Sequence, residues 1–188
     1  MAQTHEPAIV KSETSEGNDA RIRRFLRERF GEAIRHEEVF RGDLQFTVDP
    51  EKIYDICEAL MEAGGLDVRF LADITCVDWH GHSEAVHGRF EVVYNLCSLA
   101  HRSRFFLKVR LPETNPHVRS LVDLWHGANW MEREVWDLFG VTFDGHPDLT
   151  RLLTPDDFEG HPLRKDYPLV YEQPKFSWNE NDPPEVIR

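Results

Sequence analysis

The sequence predicts an α+β fold, a single domain in which a mixed, largely antiparallel sheet packs against helices and an extended proline-rich C-terminal tail follows. Three observations predict it. Segments with helical apolar spacing alternate in small groups with short strand-like segments. A three-residue polar connection, His101-Arg102-Ser103, joins two β-rich runs into a hairpin. Seven of the eleven prolines fall in the last 42 residues. The expected organisation is a disordered lead at 1–17, a domain at 18–146 and a strap at 147–188.

Ile22, Phe25, Leu26 and Phe30 recur at helical spacing, which predicts a first helix from a cap near Asn18 or Asp19 to Gly31. Val39-Phe40 and the alternating Leu44, Phe46 and Val48 flank Gly42-Asp43 as two short strands. Asp49-Pro50 opens a second helix, because Asp49 can accept from orphan amides and Pro50 fits the first turn. Its stripe is Ile53, Ile56, Cys57, Leu60 and Met61, ended by Gly64-Gly65. Strands follow at Val68–Trp79, Phe90–Leu99 and Arg104–Leu111, with a polar loop around His80–Gly88. Asn115-Pro116 is expected to cap a third helix carrying Val118, Leu121, Val122 and Trp125. Asn129 and Glu132 have capping-box spacing, and Met131, Val135 and Leu138 carry a short fourth helix to Gly140. Beyond His146 apolar groups occur singly among prolines, so the tail cannot build its own core. Its many large anchors, from Leu149 to Trp178, suggest a strap across a partner surface.

Composition narrows the function. The 188 residues are 40% hydrophobic and 30% charged, ordinary for one globular domain. A formal charge of −12 excludes a phosphate-backbone binder and an anionic membrane surface as direct partner. Seven arginines between Arg21 and Arg41 are interleaved with Glu28, Glu32, Glu37 and Glu38, as on a solvated helix face. No apolar run approaches the ~20 residues that span a bilayer. Cys57, Cys76 and Cys97 are odd in number and widely spaced, so neither a disulfide framework nor a four-thiolate cluster can be assembled.

Catalytic signatures are missing as well. No dinucleotide or phosphate loop and no H-E-x-x-H occurs, and Gly81-His82-Ser83-Glu84-Ala85 lacks the closing glycine of a nucleophile elbow. His80, His82 and His87 could meet on a loop and bind zinc or nickel, the basis of a rival reading as a free-standing metal enzyme. Glu132 and Glu134 lie about 200° apart on a helix and cannot jointly flank a bond. Arg133 and Asp137, at i and i+4, are expected to pair instead.

The same residues carry a resemblance. Glu132-Arg133-Glu134-Val135-Trp136-Asp137-Leu138-Phe139-Gly140-Val141, then Gly145-His146-Pro147-Asp148-Leu149, then Gly160-His161-Pro162-Leu163-Arg164-Lys165-Asp166-Tyr167-Pro168 resemble the signature of the 30-kilodalton subunit of respiratory complex I. Asp73–Trp79, Phe90–Ser98 and Phe105–Pro112 resemble that family too. Thr150 departs from it, standing where the family usually has a basic residue, with Arg151 next.

The resemblance implies a non-catalytic scaffold subunit of NADH-quinone oxidoreductase, a proton-translocating complex that passes electrons from NADH through FMN and iron-sulfur clusters to quinone. This chain would bind no cofactor itself. It would sit peripherally on the cytoplasmic side of the bacterial cell membrane, beside the 49-kilodalton and 20-kilodalton subunits of the peripheral arm. Glu132, Arg133, Glu134, Trp136, Asp137, Phe139, Gly140, His146, Pro147, Arg151, Gly160, His161, Pro162, Leu163, Arg164, Lys165 and Asp166 would form the partner-facing surface. Related membrane-bound hydrogenases, F420-linked, ferredoxin-linked or photosynthetic complexes carry an equivalent subunit, and the electron donor distinguishes them.

Overall fold

A computed structural model describes residues 13–168, with side chains from residue 17 onward. Helix α1 runs Glu13–Phe30 and passes into a 3₁₀ turn at Gly31–Ala33. It starts before the expected cap, so residues 13–17 belong to the helix and not to a separate lead; residues 1–12 of that expectation lie outside the described residues. Asn18 does not cap. Its side chain is buried and donates to the Ser103 hydroxyl at 2.6 Å, tying α1 to the sheet.

Strands β1 (Ile34–Phe40) and β2 (Asp43–Val48) form the predicted pair. The turn between them places Arg41 at φ 50° and Gly42 at φ 86°. After a 3₁₀ turn at Pro50–Lys52, α2 (Ile53–Glu62) buries Ile53, Ile56, Cys57 and Leu60. Asp49 makes no cap; Arg35 claims its carboxylate with two donors at 2.5 and 2.7 Å. An ion pair from the neighbouring strand has displaced the local cap.

Strands β3 (Phe70–Asp78), β4 (Phe90–Ser98) and β5 (Ser103–Leu111) complete a five-stranded sheet of order β1-β2-β5-β4-β3. Only the β2–β5 pairing is parallel. The predicted β4–β5 hairpin is in register from Phe90 opposite Leu111 to Ser98 opposite Ser103. Alternation gives the sheet two unlike faces. Leu44, Phe46, Ile74, Val92, Tyr94, Leu96, Phe105 and Leu107 turn inward to the core, where α1 lies against β5. The other face carries cross-strand ion pairs, Arg104 with Asp43 and Arg110 with Glu91, both at 2.6 Å.

The expected helix after Asn115-Pro116 is not formed. Asn115 has φ 53°, and His117–Arg119 is a short strand, β6. It pairs in parallel with β7 (Thr142–Asp144), and turns occupy the stretch to Gly127. Val118, Leu121 and Trp125 are buried all the same. A strand followed by a tight turn reproduces helical spacing by coincidence. Helix α3 spans Ala128–Phe139 and packs against β3. It ends as predicted, with Gly140 left-handed at φ 75° and its N–H donating to the Trp136 carbonyl.

Candidate functional site

The signature residues meet where α3 ends. An α-helix leaves its last carbonyls without intrahelical partners. Here residues 161–164 supply those partners: His161 Nδ1 donates to the Asp137 carbonyl at 2.9 Å, Leu163 N to that of Leu138 at 3.0 Å, and Arg164 Nε to that of Phe139 at 2.5 Å. A guanidinium at this end also suits the negative pole of the helix dipole. Gly160 (φ 89°) and the turn through His161-Pro162 bring these donors round. Gly140 leaves room for them, since a Cβ would approach His161 Nε2 to 2.5 Å and collide with Arg164.

One turn back, the Asp137 carboxylate is fully buried. Its Oδ2 accepts from three successive backbone amides, Leu152, Leu153 and Thr154, at 3.1, 2.8 and 2.9 Å. Such a run of amides is a ready-made anion cradle. Its Oδ1 accepts from Arg151 at 2.9 Å and from the Thr154 hydroxyl. Burial alone would raise this carboxyl, yet those donors outweigh it and hold the pKa far below the ordinary range. Arg151 also donates to the Phe158 carbonyl at 2.7 Å, closing the 151–158 loop. The expected Arg133–Asp137 pair is therefore replaced. Arg133 instead donates to the carbonyls of Thr150 and Arg151, both at 3.0 Å, and lies over the Trp130 ring. Thr150, where the family pattern is broken, contributes only its backbone to that contact.

Glu132 does not cap the helix either; the N-cap position is Gly127. Its carboxylate is fully buried and bonds to the Ser120 hydroxyl at 2.6 Å and the Leu121 amide at 2.7 Å, fastening the β6 connection to α3. Burial raises its pKa to about 7, against the pull of these two donors. Val135 and Phe139 face the core, Trp136 is half-buried and Glu134 is exposed. His146 donates to the Asn129 carbonyl at 3.2 Å and accepts from the Asp148 amide at 3.1 Å, with Pro147 exposed between them.

A second anchor joins the strap to the end of the sheet. Arg89 is buried and bonds to Asp78 at 2.9 and 3.0 Å, to Asp166 at 2.6 and 3.0 Å and to Glu113 at 2.8 Å. The Lys165 amide adds a bond to Asp78 at 2.8 Å, while the Lys165 side chain stays exposed. Burial would raise the Asp78 carboxyl, but Arg89 and the Lys165 and His80 amides hold it at about 2. Sequence reasoning missed Asp78, Arg89 and Glu113, whose partners lie far apart along the chain. The signature polar groups therefore hold residues 147–168 against the domain's own α3 and sheet; residues 169–188 of the expected strap lie outside the described residues.

Of the three histidines proposed as a metal site, His82 has a side-chain contact of another kind. His82 accepts from the Glu84 amide at 3.3 Å and its ring lies 5.1 Å from that of Trp79. Among the described residues, no group of three or more His, Cys, Asp or Glu side chains is placed to hold a metal ion. Nor is any helix there long and apolar enough to cross a membrane. Cys57 and Cys76 are buried thiols whose pKa burial pushes upward.

Comparisons with known proteins agree on one family. The model of the respiratory-chain NADH dehydrogenase 30 Kd subunit matches residues 46–173. An NADH-quinone oxidoreductase subunit of Roseiflexus sp. is 46% identical over 164 residues, covering 87% of this chain and 92% of that protein. The corresponding NADH-quinone oxidoreductase subunit of Geobacter sulfurreducens is 45% identical over 155 residues, covering 82% and 91%. Among solved structures, a trypsin-resistant fragment (1–134) of Nqo5 superposes with a TM-score of 0.58 at 37% identity, covering 69% of this chain and 99% of the fragment. A chain of an archaeal membrane-bound sulfane sulfur reductase superposes at 0.68 with 26% identity, covering 82% and 87%. With most of its length matched by the family model and by relatives above 40% identity, this chain belongs to the 30-kilodalton subunit family of the respiratory-chain NADH dehydrogenase.

Proposed function

We propose that the chain is a cofactor-free scaffold subunit in the peripheral arm of a proton-translocating NADH-quinone oxidoreductase. It sits on the cytoplasmic side of the bacterial cell membrane beside the 49-kilodalton and 20-kilodalton subunits. NADH, FMN, iron-sulfur clusters and quinone belong to other subunits. The observation that carries this reading is the use made of the signature. Its charged groups, Glu132, Asp137, Arg151, Arg164 and Asp166, are spent on fixing α3 and the strap in one arrangement, which is what a shaping role requires. Three cysteines, two of them buried, cannot supply the four thiolates of a cluster. Electron transfer needs centres held at fixed spacing, and a rigid brace serves that need without touching an electron.

Deleting the chain from its host should abolish NADH-dependent quinone reduction in membranes, and the full chain supplied in trans should restore it. Undiminished activity in the deletion strain would refute the proposal. The likeness to a sulfane sulfur reductase chain favours a second reading, an equivalent subunit in a related complex with another electron donor. In that case the deletion would spare NADH oxidation and abolish a different membrane-bound reductase activity.

A further inference from the structure

Around the Asp137 latch the strap is sorted by charge. Its arginines point inward, Arg151 to Asp137 and Arg164 to the Phe139 carbonyl, while Arg133 of α3 reaches under it to the carbonyls of Thr150 and Arg151. Of its carboxylates, Asp166 is held by Arg89 at the sheet anchor, whereas Asp148, Asp156 and Asp157 are exposed, as is Glu134 on α3. Large apolar side chains stand among them. Trp130 is 59% exposed and Leu153 62%. Both stand on the side of α3 that the strap crosses. Trp130 and Asp137 are seven residues apart, so they share a stripe of α3. The Leu153 amide is bonded to the Asp137 carboxylate, which seats that leucine over the same stripe. Pro155-Asp156-Asp157 continues the loop, closed at Phe158 by Arg151 and by the Phe158 N–H bond to the Pro155 carbonyl. The exposed cation of the segment, Lys165, lies apart, at the sheet anchor.

We propose that this patch, with Trp130 and Leu153 as anchors rimmed by Glu134, Asp148, Asp156 and Asp157, docks a basic segment of a partner protein that offers an apolar pocket. The inference rests on the scaffold reading and names the chemistry of one partner surface. An interface needs a few large anchors excluding water and charges that match across the rim. The surface supplies both, and its acidic rim disfavours an anionic membrane. The patch is built by the fold before any partner arrives, because the Asp137 latch is internal to the chain.

The test replaces the native gene with full-length variants and measures how much of the chain stays in the mildly solubilised membrane assembly. Leu153→Ala is expected to lower retention at least about fivefold. The double variant Asp156→Lys/Asp157→Lys is expected to lower it further at low salt than at high salt, since the rim contribution is screened. Val86→Ala and Leu99→Ala, exposed elsewhere on the domain, should be retained like wild type. Thermal melting of each purified chain should match wild type, which separates docking from folding. Wild-type retention of both patch variants, with the wild-type chain in the assembly, would overturn the docking surface and leave the scaffold reading standing. Loss with Leu153→Ala but not with the charge reversal would overturn the basic partner. A wild-type chain found in no assembly would overturn both readings.

Discussion

The Asp137 carboxylate and the Arg151 guanidinium meet at 2.9 Å across the seam between α3 and the strap. Around that contact three amides and a threonine hydroxyl complete the shell of the carboxylate. Asp137→Ala would leave Arg151 facing an empty cradle and should cost roughly 2–4 kcal/mol of strap stability. Urea denaturation together with trypsin cleavage after Arg151 and Arg164 checks this. Cleavage should accelerate in Asp137→Ala, and less so in Asp137→Asn, which keeps one acceptor oxygen.

The acid response follows from the same carboxylates. Asp137 and Asp78 both have folded pKa values depressed below the unfolded value near ~3.9, Asp78 to about 2. A depressed folded pKa means that the stabilisation is present above ~pH 4 and is lost as pH falls through the folded value. Amide exchange at residues 151–165 should therefore accelerate between ~pH 4 and ~pH 2 before the sheet core opens.

Glu132 has the opposite sign. Its folded pKa, about 7, lies above the unfolded carboxyl value near ~4.3. The folded state holds the extra proton in this window, so the contribution of Glu132 to stability is greatest below ~pH 4 and declines as pH rises toward 7. Glu132→Gln keeps an acceptor for the Leu121 amide and should flatten that decline. Glu132→Ala orphans two buried donors and should cost roughly 2–4 kcal/mol at the acidic end of the range, with the gap to wild type narrowing as pH rises. Thermal melts of the three proteins from pH 5 to pH 8 distinguish these outcomes.

At Gly140 two independent constraints coincide, a left-handed φ of 75° and a Cβ that would strike His161 and Arg164. Gly140→Ala should cost more than ~2 kcal/mol. The damage should appear first as exposure of the strap, read by the same trypsin assay.

Much of the fold is legible in the sequence because local signals and tertiary needs agree. The α2 stripe, the β4–β5 hairpin and the Gly140 stop are of this kind, each readable within one short stretch of chain. Errors arise where a distant partner outbids the local one. Asp49 turns to Arg35, Glu132 to Ser120 and Leu121, and Asp137 to Arg151, so each expected cap or i,i+4 pair gives way to a contact made through the fold. Val118, Leu121, Val122 and Trp125 mimic a helix because periodicity cannot separate a strand with a turn from one helical face. The Arg89 anchor leaves no local trace, since Asp78, Glu113 and Asp166 lie 11, 24 and 77 residues from it. The signature itself is recognisable along the chain, while the work of its charged residues in holding the strap emerges only in three dimensions.

The scaffold role is tested most directly by affinity purification of the full chain from native membranes after mild solubilisation. Iron-sulfur subunits and NADH dehydrogenase activity should be recovered in the same assembly. Recovery of the chain alone, or in an assembly that does not oxidise NADH, would contradict it.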